Sequence, residues 1–132
     1  MKIFTFPIRV YYEDTDAGGV VYHTNYLKFF ERARTEMLRA MGFEQDQLKT
    51  EAGIIFVVRS VQVDYLHSAL FNELLQVSSE VIESKKASLT FSQQISRDSI
   101  VLTTGVIRIA CLDTQTMRPK AIPDYLLESL NA

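Results

Sequence analysis

The groups that could do chemistry are concentrated in residues 12–26, just before a stretch with helical spacing. The segment contains the carboxylates of Glu13, Asp14 and Asp16, the pair Gly18-Gly19, and His23. A helix that begins here presents unpaired backbone N–H groups and the positive end of its dipole, which can hold a developing oxyanion. Adjacent glycines let a ligand approach the backbone closely. Acidic and glycine residues before a helix are also ordinary loop and capping chemistry, so composition alone leaves both interpretations open.

Other catalytic signatures are absent from the sequence: there is no G-x-S-x-G elbow, no H-E-x-x-H and no phosphate-binding glycine loop. With only His23 and His67, a metal site would need several carboxylates. The lone Cys111 excludes an internal disulfide and a multi-cysteine zinc site, and we expect it to be a small core residue. We therefore expect neither a metal nor a cofactor. His67 is expected to be a surface turn residue rather than a catalyst.

A long helix must carry the end of this segment. Apolar residues recur at three- and four-residue steps from Tyr26 to Met41, which is the spacing of one helical face. Thr24 or Asn25 can cap its start, and Gly42 is well placed to end it. The neighbouring Phe29 and Phe30 widen the apolar face, which predicts a substantially buried helix.

The remaining elements are predicted to be strands. Residues 4–12 alternate, with Phe4, Phe6, Ile8, Val10 and Tyr12 on one face, and Pro7 indicates an edge or early strand position. Four further strands are predicted over residues 55–66, 73–83, 88–97 and 100–112, followed by a short helix over 123–130. Consecutive strands joined by short turns are most simply antiparallel, which predicts an α+β architecture with one long helix on a sheet. A homo-oligomer is one way to cover the other face of the sheet.

Length and composition limit the classes of protein to which the chain can belong. The chain has 132 residues, a formal net charge of −2 and 47% hydrophobic residues, which predicts a single folded domain over residues 1–132. The mildly acidic balance is not that of a general nucleic-acid binder. The longest apolar run, residues 54–58, is too short for a membrane span, and Pro7 and Arg9 interrupt the only candidate signal peptide. These absences favour a cytoplasmic protein.

The order of residues resembles a known family. The run from Tyr11 to His23, the Asn25-Tyr26-Leu27 that follows and the stretch over residues 30–36 are similar to the hotdog-fold acyl-CoA thioesterases. The similarity is nearest to the Tol–Pal-associated bacterial branch, is more distant to 4-hydroxybenzoyl-CoA thioesterase, and covers nearly the whole chain. The resemblance implies a hotdog fold, in which a curved five-stranded antiparallel sheet wraps around the long helix. It also implies a homo-dimer or tetramer with active sites at subunit interfaces.

The resemblance further implies the reacting groups. Asp16 matches the second Asp of the family's D-x-D-x-x-G pattern, its catalytic carboxylate, whereas Asp14 organises the loop. The Asp16 carboxylate either attacks the thioester carbonyl or activates a water molecule, and the sequence leaves both routes open. Tyr22 and His23 lie where the family places backbone N–H groups that face the thioester oxygen. The ring of His23 could also orient water or Asp16.

Substrate contacts are implied in the same way. Lys85, Lys86 and Ser88 align with a basic turn that contacts CoA phosphates, although an exposed hairpin turn explains these lysines equally well. Asn25 belongs to the matching motif, and Arg59 and Ser60 lie on a strand that lines the substrate channel in such folds. The chain departs from the branch at residues 67–71, His-Ser-Ala-Leu-Phe, where a basic contribution is partly missing.

The resemblance therefore implies an acyl-CoA thioesterase that releases free acid and CoA, with acyl carrier protein as a further possible carrier and a location that could be peripheral to the inner membrane. A non-hydrolytic module that binds acyl-CoA or acyl carrier protein is the alternative. A hotdog hydratase or dehydratase ranks last, because the D-x-D-x-x-G-x-V-Y-H pattern differs from a hydratase motif.

Overall fold

The computed structural model of the protein describes residues 2–131. Five strands form one antiparallel sheet: β1 (Phe4–Arg9), β2 (Ile54–Tyr65), β3 (Leu74–Lys85), β4 (Ser88–Arg97) and β5 (Ile100–Asp113). Their spatial order is β1-β3-β4-β5-β2, so β1 and β2 are the edge strands. The predicted α+β architecture and the predicted edge position of Pro7 are confirmed.

The helix α1 (Asn25–Ala40) covers one face of this sheet. It ends as the sequence predicts, because Gly42 has a φ of 93°, a conformation that glycine adopts without strain. The Phe43 N–H then donates to the Leu38 carbonyl at 2.9 Å and the Gly42 N–H to the Arg39 carbonyl at 2.9 Å, which satisfies carbonyls that the helix end leaves free. Two shorter helices follow, α2 (Gln45–Gln47), which continues as one π-type turn over Leu48–Ala52, and α3 (Asp124–Asn131).

The core lies between α1 and the sheet. Phe29, Phe30 and Ala33 of the helix are fully buried, as are Phe91 on β4 and Leu102 on β5. Cys111 is buried among them, as predicted, and burial raises the pKa of its thiol to about 11. None of the helices in residues 2–131 is both long enough and apolar enough to cross a membrane.

Two parts of the chain differ from the sequence prediction. The first strand ends at Arg9 rather than at residue 12, and Tyr12–Asp14 form a 3₁₀ turn that leaves Tyr12 80% exposed. The turn forms because the Asp14 carboxylate accepts a hydrogen bond from the Tyr11 N–H, which bends the chain away from the sheet. The helical segment over residues 45–52 was not predicted, since it has no clear apolar period of its own.

Gly105 on β5 is a point of close contact between α1 and the sheet. A Cβ atom at this position would lie 2.8 Å from Cε2 of Phe30 and 3.0 Å from Cδ1 of Ile107. Real Cβ atoms do not tolerate such contacts with a buried ring, so the helix sits at this depth only because residue 105 has no side chain.

We predict that Gly105→Ala lowers the free energy of unfolding by roughly 1–3 kcal/mol, because the added methyl overpacks the core against Phe30. Urea unfolding measures the loss. Thr104→Ala on the opposite face of β5 is the control for strand propensity, with an expected change below about 1 kcal/mol. Phe30→Leu should restore part of the loss in the Gly105→Ala background. The packing explanation would be contradicted if Gly105→Ala and Thr104→Ala lost equal free energy of unfolding and Phe30→Leu showed no coupling with Gly105→Ala.

Candidate active site

The acidic loop between β1 and α1 is held by Asp14. This residue is 7% exposed, and its Oδ2 accepts a hydrogen bond from the Tyr11 N–H at 2.8 Å. Its backbone carbonyl accepts two more, from the Tyr22 N–H at 2.9 Å and from Nδ2 of Asn25 at 2.9 Å. Asp14 therefore organises the loop, as the resemblance implies, and connects it to the first residue of α1.

Asp16 lies at the tip of this loop in a tight turn. Its N–H donates to the Val20 carbonyl at 2.9 Å, and its carbonyl accepts from the Gly19 N–H at 3.0 Å. Oδ1 accepts from the Gly18 N–H at 2.8 Å, which fixes the orientation of the carboxylate. Within residues 2–131 no group donates to Oδ2, so this oxygen of the exposed carboxylate is available to a substrate or a water molecule.

The start of α1 offers backbone donors beside this carboxylate, but they are not the pair that the sequence predicts. The Tyr22 N–H is bonded to the Asp14 carbonyl, so in this arrangement it is not free for a thioester oxygen, and the role that the resemblance implies for it stays a prediction. The N–H groups of His23 and Thr24 have no acceptor among the described residues. The side chain of Thr24 makes no capping bond, and that of Asn25 bonds Asp14 instead, so the predicted side-chain cap is absent from this helix end.

Asp16 and His23 line one cavity of about 270 Å³, whose other lining residues are Val20, Val21, Tyr26, Tyr65, Leu66, His67 and Ser68. Tyr65 at the end of β2 donates its hydroxyl proton to the His23 carbonyl at 3.0 Å and packs edge-on against the Tyr26 ring. Burial raises the pKa of the Tyr26 hydroxyl, which accepts a hydrogen bond from the Ala69 N–H at 2.9 Å. Sequence analysis did not assign a role to Tyr65, although its place at the end of an alternating strand was visible.

The wall opposite the loop is the segment that departs from the family pattern. Its backbone is firmly placed, because the Leu66 and His67 N–H groups both donate to the Leu102 carbonyl, at 2.8 and 3.0 Å. The Ala69 carbonyl accepts from the Val21 N–H at 2.9 Å. His67 is exposed, as predicted for a turn residue, but it also lines the cavity that contains Asp16, which the sequence did not predict.

The predicted substrate contacts lie away from this cavity within one protomer. Arg59 and Ser60 are exposed at a bulge of β2 and lie six and five residues from Tyr65, which is about 20 and 17 Å along the strand. Lys85 and Lys86 follow the far end of β3, about 36 Å from Leu74, which lies at the end of that strand nearest the loop. The Lys85 ammonium is 3.6 Å from the Glu83 carboxylate, and both are exposed.

Two of these predicted contacts need correction. Ser88 is only 8% exposed and pairs with Lys85 and Ala110 inside the sheet, so its hydroxyl is poorly placed to meet a phosphate in solvent. Asn25 is buried, and its amide is committed to the Asp14 carbonyl, so its role here is to position the loop.

The five-stranded antiparallel sheet, the helix across it and the acidic loop at the helix start define a protein of the hotdog class. A probable thioesterase from Bartonella henselae has the same fold, with a TM-score of 0.89 and 34% identity over 92% of this chain and 100% of that chain. This likeness confirms the predicted hotdog fold.

The family follows from the sequence comparisons. The model of the Thioesterase-like superfamily matches residues 10–130, and the chain belongs to this family. An acyl-CoA thioesterase, YbgC of Haemophilus influenzae, is 49% identical over 91% of this chain and 88% of its own length. The acyl-CoA thioester hydrolase YbgC of Escherichia coli O6:H1 is 43% identical over 95% of this chain and 93% of its own length.

We predict that Asn25→Ala lowers the free energy of unfolding by about 1–3 kcal/mol, because it removes a buried donor from the Asp14 carbonyl. Amide hydrogen exchange should rise in residues 14–22 before it rises in the sheet. Thr24→Ala is the matched control, with an expected change within about 0.5 kcal/mol because the Thr24 side chain makes no capping bond. Similar losses in both variants would instead indicate a general effect on the helix start.

Proposed function

We propose that this protein hydrolyses acyl-CoA thioesters to a free acid and CoA. The observation that carries the proposal is that one cavity is lined both by Asp16, whose Oδ2 is free, and by His23. The N–H of His23 at the start of α1 is unpaired, as is that of the adjacent Thr24. A carboxylate beside preorganised donors is suited to attack at a carbonyl, and the thiolate that leaves needs no strong general acid. The YbgC relatives, an acyl-CoA thioesterase and an acyl-CoA thioester hydrolase, support the same conclusion.

In this proposal the thioester oxygen accepts hydrogen bonds from the His23 and Thr24 N–H groups as negative charge develops on it. The dipole of α1 adds to that stabilisation, because its positive end lies at the same place. The donors need no reorganisation during the reaction, since the hydrogen bonds of Asp14 fix the loop and the helix start together.

Asp16 can act by either of two routes. As a nucleophile, its Oδ2 bonds to the carbonyl carbon and the C–S bond breaks, which gives CoA thiolate and an acyl-aspartyl anhydride that water then hydrolyses. As a general base, it takes a proton from a water molecule that attacks the same carbon. Rapid-quench mass spectrometry distinguishes the routes, because only the first adds the mass of the acyl group to the peptide that contains Asp16.

We predict that Asp16→Asn lowers kcat/KM for thiol release from acyl-CoA by at least about 100-fold, because the near-isosteric amide can neither attack nor take a proton. The assay follows CoA thiol over short, medium, long and aromatic acyl groups. Glu13→Gln is the matched control, since Glu13 is an exposed carboxylate of the same loop that does not line the cavity.

Three outcomes of this assay are informative. Loss of activity in Asp16→Asn alone supports the assignment, and unchanged activity in that variant contradicts it. If the folded wild-type protein releases no thiol but binds acyl-CoA with an affinity that Asp16→Asn does not change, the protein is a non-hydrolytic binding module.

We further propose that the active site is completed by a second copy of the chain in a homo-dimer or tetramer. Lys85 and Lys86 lie about 36 Å along β3 from the end of the sheet nearest the acidic loop, which favours a second copy as the source of the basic turn that meets an acyl-CoA bound at Asp16. A neighbouring copy could present its basic turn and its β2 strand to this cavity. The 12-residue β2 at the sheet edge, with Val58 and Val61 exposed, is suited to such a contact.

We predict that replacing both Lys85 and Lys86 with Ala raises KM for acyl-CoA about tenfold or more, because contacts from cations to phosphate are lost. The KM for the matching acyl-pantetheine, which lacks the CoA phosphates at the far end, should not change. Mixing this variant with Asp16→Asn should restore part of the activity if the two groups come from different copies. An unchanged KM for acyl-CoA would assign the lysines to an ordinary solvated turn.

The resemblance to the Tol–Pal-associated branch is the basis for acyl carrier protein as a second acyl donor and for a peripheral position at the inner membrane. The expectation of a cytoplasmic location comes from the sequence composition. All three remain predictions. A parallel assay with acyl groups on acyl carrier protein tests the first of them.

A further inference from the structure

Arg34 is a cation inside the protein. It lies in the middle of α1, is 8% exposed, and donates from Nη1 to Oε1 of Gln93 at 2.9 Å. Gln93 is itself buried, and its amide donates to the Phe30 carbonyl at 3.0 Å and to the Ser79 hydroxyl at 2.7 Å. The guanidinium lies 6.0 Å from the centre of the Phe91 ring. This network holds Arg34 in one orientation.

The charge of Arg34 has no counter-ion among the described residues, where no carboxylate comes within 4.0 Å of it. Burial lowers the pKa of Arg34, whereas the charge of Glu31, one turn earlier and exposed, raises it. An arginine stays protonated even so, and a buried cation is costly unless it is paired. Its Nε and Nη2 atoms donate to no described group, and both keep some solvent-accessible surface. These donors are therefore open to a neighbouring cavity.

That cavity is part of a groove between α1 and β2, whose walls combine apolar side chains with polar ones. One section of about 300 Å³ is lined by Arg34 together with Leu38, Phe56, Val58, Phe91 and Ile109, among others. A second section of about 170 Å³ shares Glu31, Arg34 and Val58 with the first and extends to Leu27 and Val61. The α1–β2 groove, defined by these two sections, runs from the first turn of α1 to its fourth turn, and Arg34 and Glu31 are the charged residues that both sections share.

We propose that the α1–β2 groove binds the acyl group of the substrate and that Arg34 selects acyl groups whose far end carries a carboxylate. This inference rests on the proposed thioesterase function. The apolar side chains of these walls suit a methylene chain, and the planar guanidinium with free donors suits a carboxylate, which can accept two parallel hydrogen bonds.

Length and selectivity follow from the same geometry. Arg34 is ten residues beyond Thr24, which is about 15 Å along the helix axis, so an acyl group of medium length would reach it from the helix start. A chain that ends in a methyl group would desolvate the free donors of Arg34 without pairing them, which disfavours its binding.

The test compares kcat/KM for acyl-CoA pairs of equal chain length: adipoyl with hexanoyl, suberoyl with octanoyl, and sebacoyl with decanoyl. For at least one length we expect the wild-type protein to prefer the carboxylated member by tenfold or more. Arg34→Met should abolish this preference, because it lowers kcat/KM for the carboxylated member and raises kcat/KM for the methyl-ended member. Arg32→Met is the matched control, because Arg32 is an exposed arginine of the same helix that does not line the groove, and it should keep the preference.

Calorimetry with free suberate and free octanoate separates this inference from the proposed function. Suberate binding that Arg34→Met removes supports the carboxylate site even if no acyl-CoA is hydrolysed, a result that would overturn only the thioesterase proposal. If Arg34→Met does not fold, the comparison of suberate with octanoate on the wild-type protein still tests whether the protein prefers a chain that carries a carboxylate at its far end. The inference is overturned if the wild-type protein shows neither a carboxylate preference at any length nor suberate binding, or if Arg34→Met keeps both.

Discussion

The backbone carbonyl of Asp14 accepts hydrogen bonds from the Tyr22 N–H and from the side chain of Asn25. These two bonds join the acidic loop to the start of α1, and the positions of the Asp16 carboxylate and of the free His23 and Thr24 N–H groups depend on them. Because the Tyr22 N–H already donates to Asp14, the first backbone N–H available to a substrate is that of His23. A single acceptor thus decides both where the loop lies and which backbone groups face the cavity.

The depth at which α1 lies on the sheet is a second constraint on the same site. Phe30 contacts β5 where Gly105 leaves room for its ring, and the Phe30 carbonyl accepts a hydrogen bond from Gln93 on β4. Gln93 in turn holds Arg34, so the packing of the helix and the orientation of its buried cation are connected. The helix therefore positions the unpaired His23 and Thr24 N–H groups at its N-terminal end and the Arg34 guanidinium on the side that faces β2.

Local patterns predicted the elements well and their tertiary contacts less well. The apolar spacing of α1, the alternation of the strands and the stop at Gly42 are properties of short segments. Each appears where the sequence indicates, except that β1 ends at Arg9 rather than at residue 12. The use of the Tyr22 N–H depends on the conformation of the whole loop, which no single residue type specifies. The burial of Arg34 was not predicted either, because it follows from the width of the contact between α1 and the sheet. The placement of His67 beside Asp16 depends on how the segment after β2 returns to the loop.

Pro7 has a consequence for how copies of the chain can assemble. It lies in β1, the strand at one edge of the sheet, and it removes a backbone N–H that an incoming strand would need. The opposite edge, β2, has no proline along its 12 residues. Strand addition is therefore disfavoured at one edge and permitted at the other. Each copy then has one edge that can accept another strand, and this edge is occupied once two copies pair through it. The asymmetry that allows pairing therefore also protects the protein against open-ended polymerisation into fibres.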